Sequence, residues 1–205
     1  MAAAGRVTTG FSKPYVAQYS ATGGKITYTN GRALGRGVSV SIEPETSDSN
    51  TFYADNQAAE TDAGTFTGGT ATLTVDGLIK ESEEFIMGLP KAGEDGWSAY
   101  SDKQAIPYVG IGYITRYMSE GNTVFVPTVL VKTKFQQKGD SANTQEDSID
   151  WQTQELTANI MRGDDADHTW KYLGGDFDTE SEAETALKTK LNITASASTS
   201  GASGS

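Results

Sequence analysis

Few side chains in this sequence could do chemistry. His168 is the only histidine, which excludes a His-rich metal centre. Neither Asp140-Ser141 nor Asp147-Ser148 has a second histidine to act as base in a Ser-His-Asp triad. His168 lies in Asp164-Asp-Ala-Asp-His-Thr169, whose carboxylates could attract Ca²⁺, but the run lacks the EF-hand spacing and its terminal glutamate. It reads as a solvated turn. Gly35/Gly37 and Gly110/Gly112 form Gly-x-Gly pairs, yet neither continues into a phosphate loop or a dinucleotide fingerprint. Bulges or close strand packing explain them. Glu81, Glu83 and Glu84 could supply paired carboxylates for glycoside hydrolysis, but nothing singles out a pair, and they read as the wet face of a helix. Asn192-Ile-Thr194 matches a glycosylation sequon and is taken as chance. Cysteine is absent, which removes disulfides, thiol nucleophiles and thiolate metal sites. The expectation is no catalytic residue, no metal and no cofactor.

Charge narrows the field further. The 205 residues hold 27 acids and 16 bases, a net charge of -11. Polyanion binding draws its affinity from Lys and Arg neutralising phosphates, so a general nucleic-acid binder is disfavoured. Residues 164–184 carry eight acids against the single base Lys171. Lys132 and Lys134 share one strand face and could meet that acidic patch across a subunit contact, or simply serve solubility. No apolar run approaches the ~18 residues of a membrane span. The first residues, Met1-Ala-Ala-Ala-Gly-Arg6, show no apolar core of a signal peptide.

Strand patterning dominates the chain. Residues 1–12 read as a flexible arm. Residues 13–19 form a first strand, with Tyr15, Ala17 and Tyr19 on one face and Val16 and Gln18 on the other. A second strand covers 25–29, and Asn30-Gly31 signals a tight turn. Val38, Val40 and Ile42 alternate with serines, so one face should be buried. Residues 45–66 are polar and without period, a long excursion of the kind compact domains keep only for a task.

Ala71, Leu73 and Val75 point inward from the next strand. Leu78, Ser82, Phe85, Ile86 and Leu89 fit a short amphipathic helix. Residues 106–118 and 123–135 should pair as a hairpin, with Pro127 hinting at a bulge or an edge. Residues 136–148 read as a mobile loop. Residues 149–162 form one more strand, with Leu156, Ala158 and Ile160 on one face. In the last helix Thr179 and Glu182 make a capping box, and Ala183, Ala186, Leu187 and Leu191 form the apolar stripe. Residues 194–205 contain only Ala, Ser, Thr and Gly and read as a disordered, dispensable tail.

One stretch is more specific than a generic β domain. Gly31-Arg-Ala-Leu-Gly-Arg-Gly-Val-Ser-Val-Ser-Ile-Glu-Pro-Glu-Thr-Ser-Asp-Ser-Asn50, followed by Phe52-Tyr-Ala-Asp-Asn-Gln57, resembles the major tail protein family of long-tailed phages infecting Gram-positive bacteria. Further similar blocks follow in order: Thr67-Gly-Gly-Thr-Ala-Thr-Leu-Thr-Val75, Tyr108-Val-Gly-Ile-Gly112, Asp150-Trp-Gln-Thr153 and Asp176-Phe-Asp-Thr-Glu180. The resemblance runs over residues 15–193.

It implies a mainly β fold, a β-sandwich or barrel of the tail-tube type spanning 13–193, with a short flanking helix and a C-terminal helix. It implies a structural virion protein that stacks as hexameric rings into a tail tube. Residues 45–66 would then be an inter-ring loop carrying Glu45, Asp48, Asn50, Phe52, Tyr53, Asp55 and Asn56. The expected partners are further copies of the chain, a tape-measure protein, and tail-terminator and tip proteins. The genome would pass through the lumen without specific binding. The expected place is the phage tail, assembled in the host cytoplasm.

Other readings stay open. A carbohydrate-binding β-sandwich module would need Trp97, Trp151 and Trp170 to form an exposed aromatic face. A tube protein of a phage-derived bacteriocin would share every feature above. A hydrolase lacks a recognisable nucleophile or base.

Overall fold

The computed structural model describes residues 5–48, 50–54, 57–62, 64–90, 96–140 and 152–193. The chain is mainly β, with ten strands and two helices among these residues. In order they are β1 (Val7–Thr22), β2 (Lys25–Ala33), β3 (Gly37–Thr46), β4 (Asn50–Ala54), β5 (Gln57–Asp62), β6 (Phe66–Val75), α1 (Lys80–Ile86), β7 (Val109–Ser119), β8 (Asn122–Phe135), β9 (Gln154–Met161), β10 (Lys171–Leu173) and α2 (Glu180–Lys190). Eight strands form one antiparallel sheet in the order β2-β1-β7-β8-β9-β6-β3, with β10 beside β8. Among the described residues β4 and β5 pair only with each other.

Strand alternation assigns the two faces of the sheet. Val16, Leu73, Val75, Ile111, Leu130, Leu156 and Ile160 join α1's Ile86 in the larger core. Ala17, Tyr19, Tyr28, Ile114, Val129 and Val131 point the other way and are covered by Ala183, Leu187 and Leu191 of α2 and its C-cap. The β6–β9 register sets Ala71 against Ala158 and Leu73 against Leu156, as their period-2 patterns require.

α2 can lie this close because β7 carries no side chain at Gly112 beneath it. A Cβ on Gly112 would sit 2.6 Å from a methyl of Leu191 and 2.7 Å from one of Leu187. Gly110, two residues back on the same face, gives the same room to the Tyr28 ring, whose hydroxyl donates to the Val131 carbonyl at 2.9 Å. The Gly-x-Gly pair is therefore a packing slot.

Several expectations change. The flexible arm of residues 1–12 is corrected: from Val7 onward it is β1, paired with β7 from Val7↔Met118 to Ser12↔Ile114. Phe11 anchors it against Tyr113, ring centroids 5.6 Å apart. Asn30-Gly31 is no hairpin turn. β2 runs through it, Asn30 takes φ 54°, and the β1 register jumps from Val16↔Arg32 to Gln18↔Thr29. Asparagine tolerates the left-handed conformation that such a bulge needs.

Val38 is exposed, because the β3–β6 register shifts between Gly37 and Ser39 and β3 lies at the sheet edge. Residues 45–66 are not an unstructured loop. β3 continues to Thr46, β6 starts at Phe66, and the β4–β5 hairpin lies between. Pro127 sits inside β8, opposite Ile114, with no shift in that register. Its carbonyl accepts from Gly174 N–H at 2.8 Å, so its missing N–H faces the flank where residues 174–176 bulge away between Leu173↔Thr128 and Phe177↔Phe125. β10 was not expected; three residues carry no period. Most of the expected loop 136–148, Trp151 and the tail 194–205 lie outside the described residues.

Candidate assembly interface

Several of the side chains singled out for chemistry hold local structure. Asp165 accepts from Thr169 through its backbone N–H at 2.9 Å and its hydroxyl at 2.6 Å, closing the turn in which His168 takes φ 51°. Asp164 accepts from Lys132 Nζ at 2.8 Å and from the Tyr19 hydroxyl at 3.0 Å. These hydrogen bonds, Lys132 first, hold its carboxyl below the usual carboxylate range. The Lys132 ammonium thus meets the acidic run within the same chain.

Glu83 pairs with Lys138 at 2.8 Å and accepts from the Tyr100 hydroxyl, while Glu84 accepts from Ser98. Asn192 donates its amide to the Tyr28 carbonyl at 3.0 Å and takes φ 51° just beyond α2. That is the left-handed position that ends helices, so the sequon asparagine is a helix stop. Among the described residues no group of three His, Asp or Glu side chains could hold a metal ion. Nor is any helix among them long and apolar enough to cross a membrane.

The aromatic-face reading meets an obstacle at Trp170, which stacks on Phe66 with centroids 4.5 Å apart and planes 8° apart. Trp170 packs against the larger core instead of offering both faces to a sugar.

What the fold leaves open is backbone. β2 and β3 are the two ends of the sheet order, and neither has a second strand partner among the described residues. Such edges template pairing with another chain unless they are blunted. Between β3 and β6 the β4–β5 hairpin leaves the sheet, and a two-stranded hairpin is marginal in water without a third layer.

Glu45 lies in β3, exposed and opposite Gly68, and Asp48 is exposed at the hairpin base. Asn50, Phe52 and Tyr53 fall in β4, opposite Asp62, Glu60 and Ala58. Asp55 and Asn56 lie outside the described residues.

The C-terminal helix residues come together at the two ends of α2. Thr179 is the N-cap and accepts from the Glu182 N–H at 3.3 Å, while its hydroxyl donates to the Glu182 carboxylate at 2.8 Å. Leu187 and Leu191 are fully buried.

A polar cluster between β1 and α2 was missed by sequence reasoning. Glu184 accepts from Lys188, from the Tyr15 hydroxyl at 2.5 Å and from Lys13 at 3.2 Å. Burial opposes its ionisation, yet the hydrogen bonds from Lys188, Tyr15 and Lys13 prevail and hold its pKa at about 2. Only the i, i+4 pair Glu184/Lys188 is a local signal. Ser12 donates to Glu180, and Arg6 pairs with Asp176 at 2.6 Å, so the same seam joins the start of β1 to α2 and its approach.

No protein-family model matches this chain, and no curated protein matches it in sequence beyond chance.

Proposed function

We propose that this protein is a structural subunit that polymerises into the tail tube of a long-tailed phage, as stacked sixfold rings through which the genome leaves the capsid. The observation that carries the reading is the β4–β5 hairpin, which leaves the edge pair β3–β6 and finds no third strand among the described residues of its own chain. A hairpin of this kind needs a partner surface to be stable. Two open sheet edges, β2 and β3, add lateral surfaces that a ring would pair.

The resemblance in residues 31–57 supplies the biological setting: a virion protein assembled in the host cytoplasm, with a tape-measure protein and tail-terminator and tip proteins as partners. The net charge of -11 suits a conduit that lets DNA slide. Negative-stain microscopy of concentrated protein tests the reading. Rings or tubes of uniform diameter are expected. A protein that stays monomeric at every concentration overturns it.

A further inference from the structure

α2 and its C-cap bury Ala183, Leu187 and Leu191 against the sheet and turn a second face outward. Along that face, beside Phe177, runs a groove of about 710 Å³ lined by Glu182, Thr185, Ala186, Thr189 and Lys190. Thr185 and Thr189 each donate their hydroxyl to the carbonyl four residues back, at 2.8 Å. Both hydroxyl protons are thus spent on the helix backbone, and the middle of the groove offers hydrocarbon. A smaller cavity of about 250 Å³ shares Phe177, Ala186 and Lys190 and reaches Leu173, which is 62% exposed.

The groove carries its charges at its two ends. Elsewhere on α2 the charged groups are engaged within the chain: Glu184 with Lys13 and Lys188, Glu180 with Ser12. Glu182 and Lys190 are exposed, and neither makes an ion pair among the described residues. Their contacts are with neutral groups. Glu182 accepts from the Thr179 hydroxyl, and Lys190 Nζ lies 3.6 Å from the centroid of the Tyr172 ring. Each therefore keeps its charge, about 12 Å from the other at the helical rise.

This pattern is complementary to itself. A second α2 laid antiparallel sets Glu182 against the partner's Lys190, and Lys190 against the partner's Glu182. Laid parallel, it sets like charge on like charge. The helix dipoles also favour the antiparallel arrangement. Ala186 falls midway between Glu182 and Lys190, so the twofold axis passes there. The lining residues between them on this face, Thr185, Ala186 and Thr189, are small, so the helix axes can approach to about 8 Å.

We propose that this groove pairs two free copies of the chain, α2 antiparallel to α2, about a twofold axis at Ala186. The contact is isologous and closes at two copies, so it is separate from any contact that propagates a tube and does not rest on that reading. The 11 residues of α2 span only about 16 Å, too little for a standard interface of about 1,600 Å². The pairing belongs with weak, transient contacts, which covalent trapping detects.

Absence of cysteine permits that trapping. Ala186→Cys and Ser181→Cys proteins are held dilute under mild oxidant and resolved on non-reducing gels. A disulfide requires Cα atoms within about 7 Å. The two copies of position 186 meet at the axis, whereas those of position 181 stand about 15 Å apart along it. Ala186→Cys should form disulfide dimers at least tenfold faster than Ser181→Cys. Equal rates, fast or slow, overturn the proposal, because they report parallel pairing or random collision. An intrachain disulfide in Ala186→Cys/Ser198→Cys, in place of the dimer, would assign the groove to the chain's own C-terminal segment and equally overturn it. Tubes from a chain that gives no preferred Ala186→Cys dimer would leave the tube reading standing. A preferred dimer from a chain that never forms tubes would do the reverse.

Charge exchange gives an independent readout by sedimentation equilibrium. Lys190→Glu should raise the dimer dissociation constant about tenfold while keeping its thermal melting. Adding Glu182→Lys should return it toward wild type, because the exchanged charges face each other again. A Lys190→Glu chain that associates like wild type overturns the proposal.

Discussion

Lys13 and Glu184 face each other across the seam between β1 and α2, Nζ to Oε2 at 3.2 Å. Lys13 adopts φ 55° at a β1 bulge, where the pairing with β7 shifts register between Ser12 and Tyr15. The bulge turns its side chain to the helix, where Glu184 also holds Lys188 and Tyr15. One half-buried carboxylate thus pins the irregular point of the first strand to the last helix.

The first prediction follows from that carboxylate. Its pKa falls from 4.5 to about 2 on folding. A depressed carboxylate stabilises the fold fully above its unfolded value and loses that contribution as pH falls toward its folded value. Stability should therefore decline from about pH 4.5 to about pH 2, by at most about 3 kcal/mol from this group. Urea melts across that window should show Glu184→Gln less stable at pH 7 and converging with wild type near pH 2. Parallel curves would show that the cluster contributes nothing.

The second concerns how α2 is held. Loss of an N-cap costs about 1 kcal/mol, whereas Leu→Ala at a buried site costs about 2–5 kcal/mol. Leu187 is 1% exposed and packs over Gly112. Leu187→Ala should lower the melting temperature clearly more than Thr179→Ala. Equal and negligible shifts would mean that the helix does not stabilise the sheet.

The third tests the slot beneath it. In Gly112→Ala the new Cβ would stand 2.6 Å from Leu191 and 2.7 Å from Leu187, both buried. Overpacking of this kind costs about 1–3 kcal/mol. Gly121→Ala, with open space around it but φ 84°, probes backbone strain alone at the β7–β8 turn. Calorimetry should show Gly112→Ala destabilised, and the double variant with Leu191→Ala should lose less than the sum of the two single losses. Strictly additive losses would place the strain elsewhere.

The legible parts of this fold are those whose side chains meet a core. Leu156, Ala158 and Ile160 alternate because one face of β9 is buried, and that period can be read directly. The capping box is equally local: Thr179 and Glu182 are three residues apart and act on each other. β4 and β5 carry no period because the hairpin joins no ladder of the main sheet. Residues 7–12 read as polar because their hold comes from β7, more than 100 positions away, and from the single ring of Phe11. The Lys13–Glu184 contact spans the same kind of distance and leaves no local pattern. The open edges β2 and β3 follow from strand order, which periodicity does not encode.

The last prediction separates folding from assembly. The β4–β5 hairpin shares no ladder with the eight-stranded sheet, and β3 and β6 pair up to its base, from Gly37↔Val75 to Thr46↔Phe66. Removing it should leave the core intact, because that core is built from β1, β6, β7, β8 and β9 with α1. A chain with residues 48–55 replaced by a short Gly/Ser linker should therefore melt within a few degrees of wild type. If the hairpin joins one subunit to the next along the tube, the same chain should form at most single rings and never elongate. Sedimentation and negative-stain microscopy measure both outcomes on one sample. Normal tubes from the shortened chain would remove the hairpin from assembly. A collapse in melting temperature would show that the hairpin serves its own domain, as a lid on the β3–β6 end of the core.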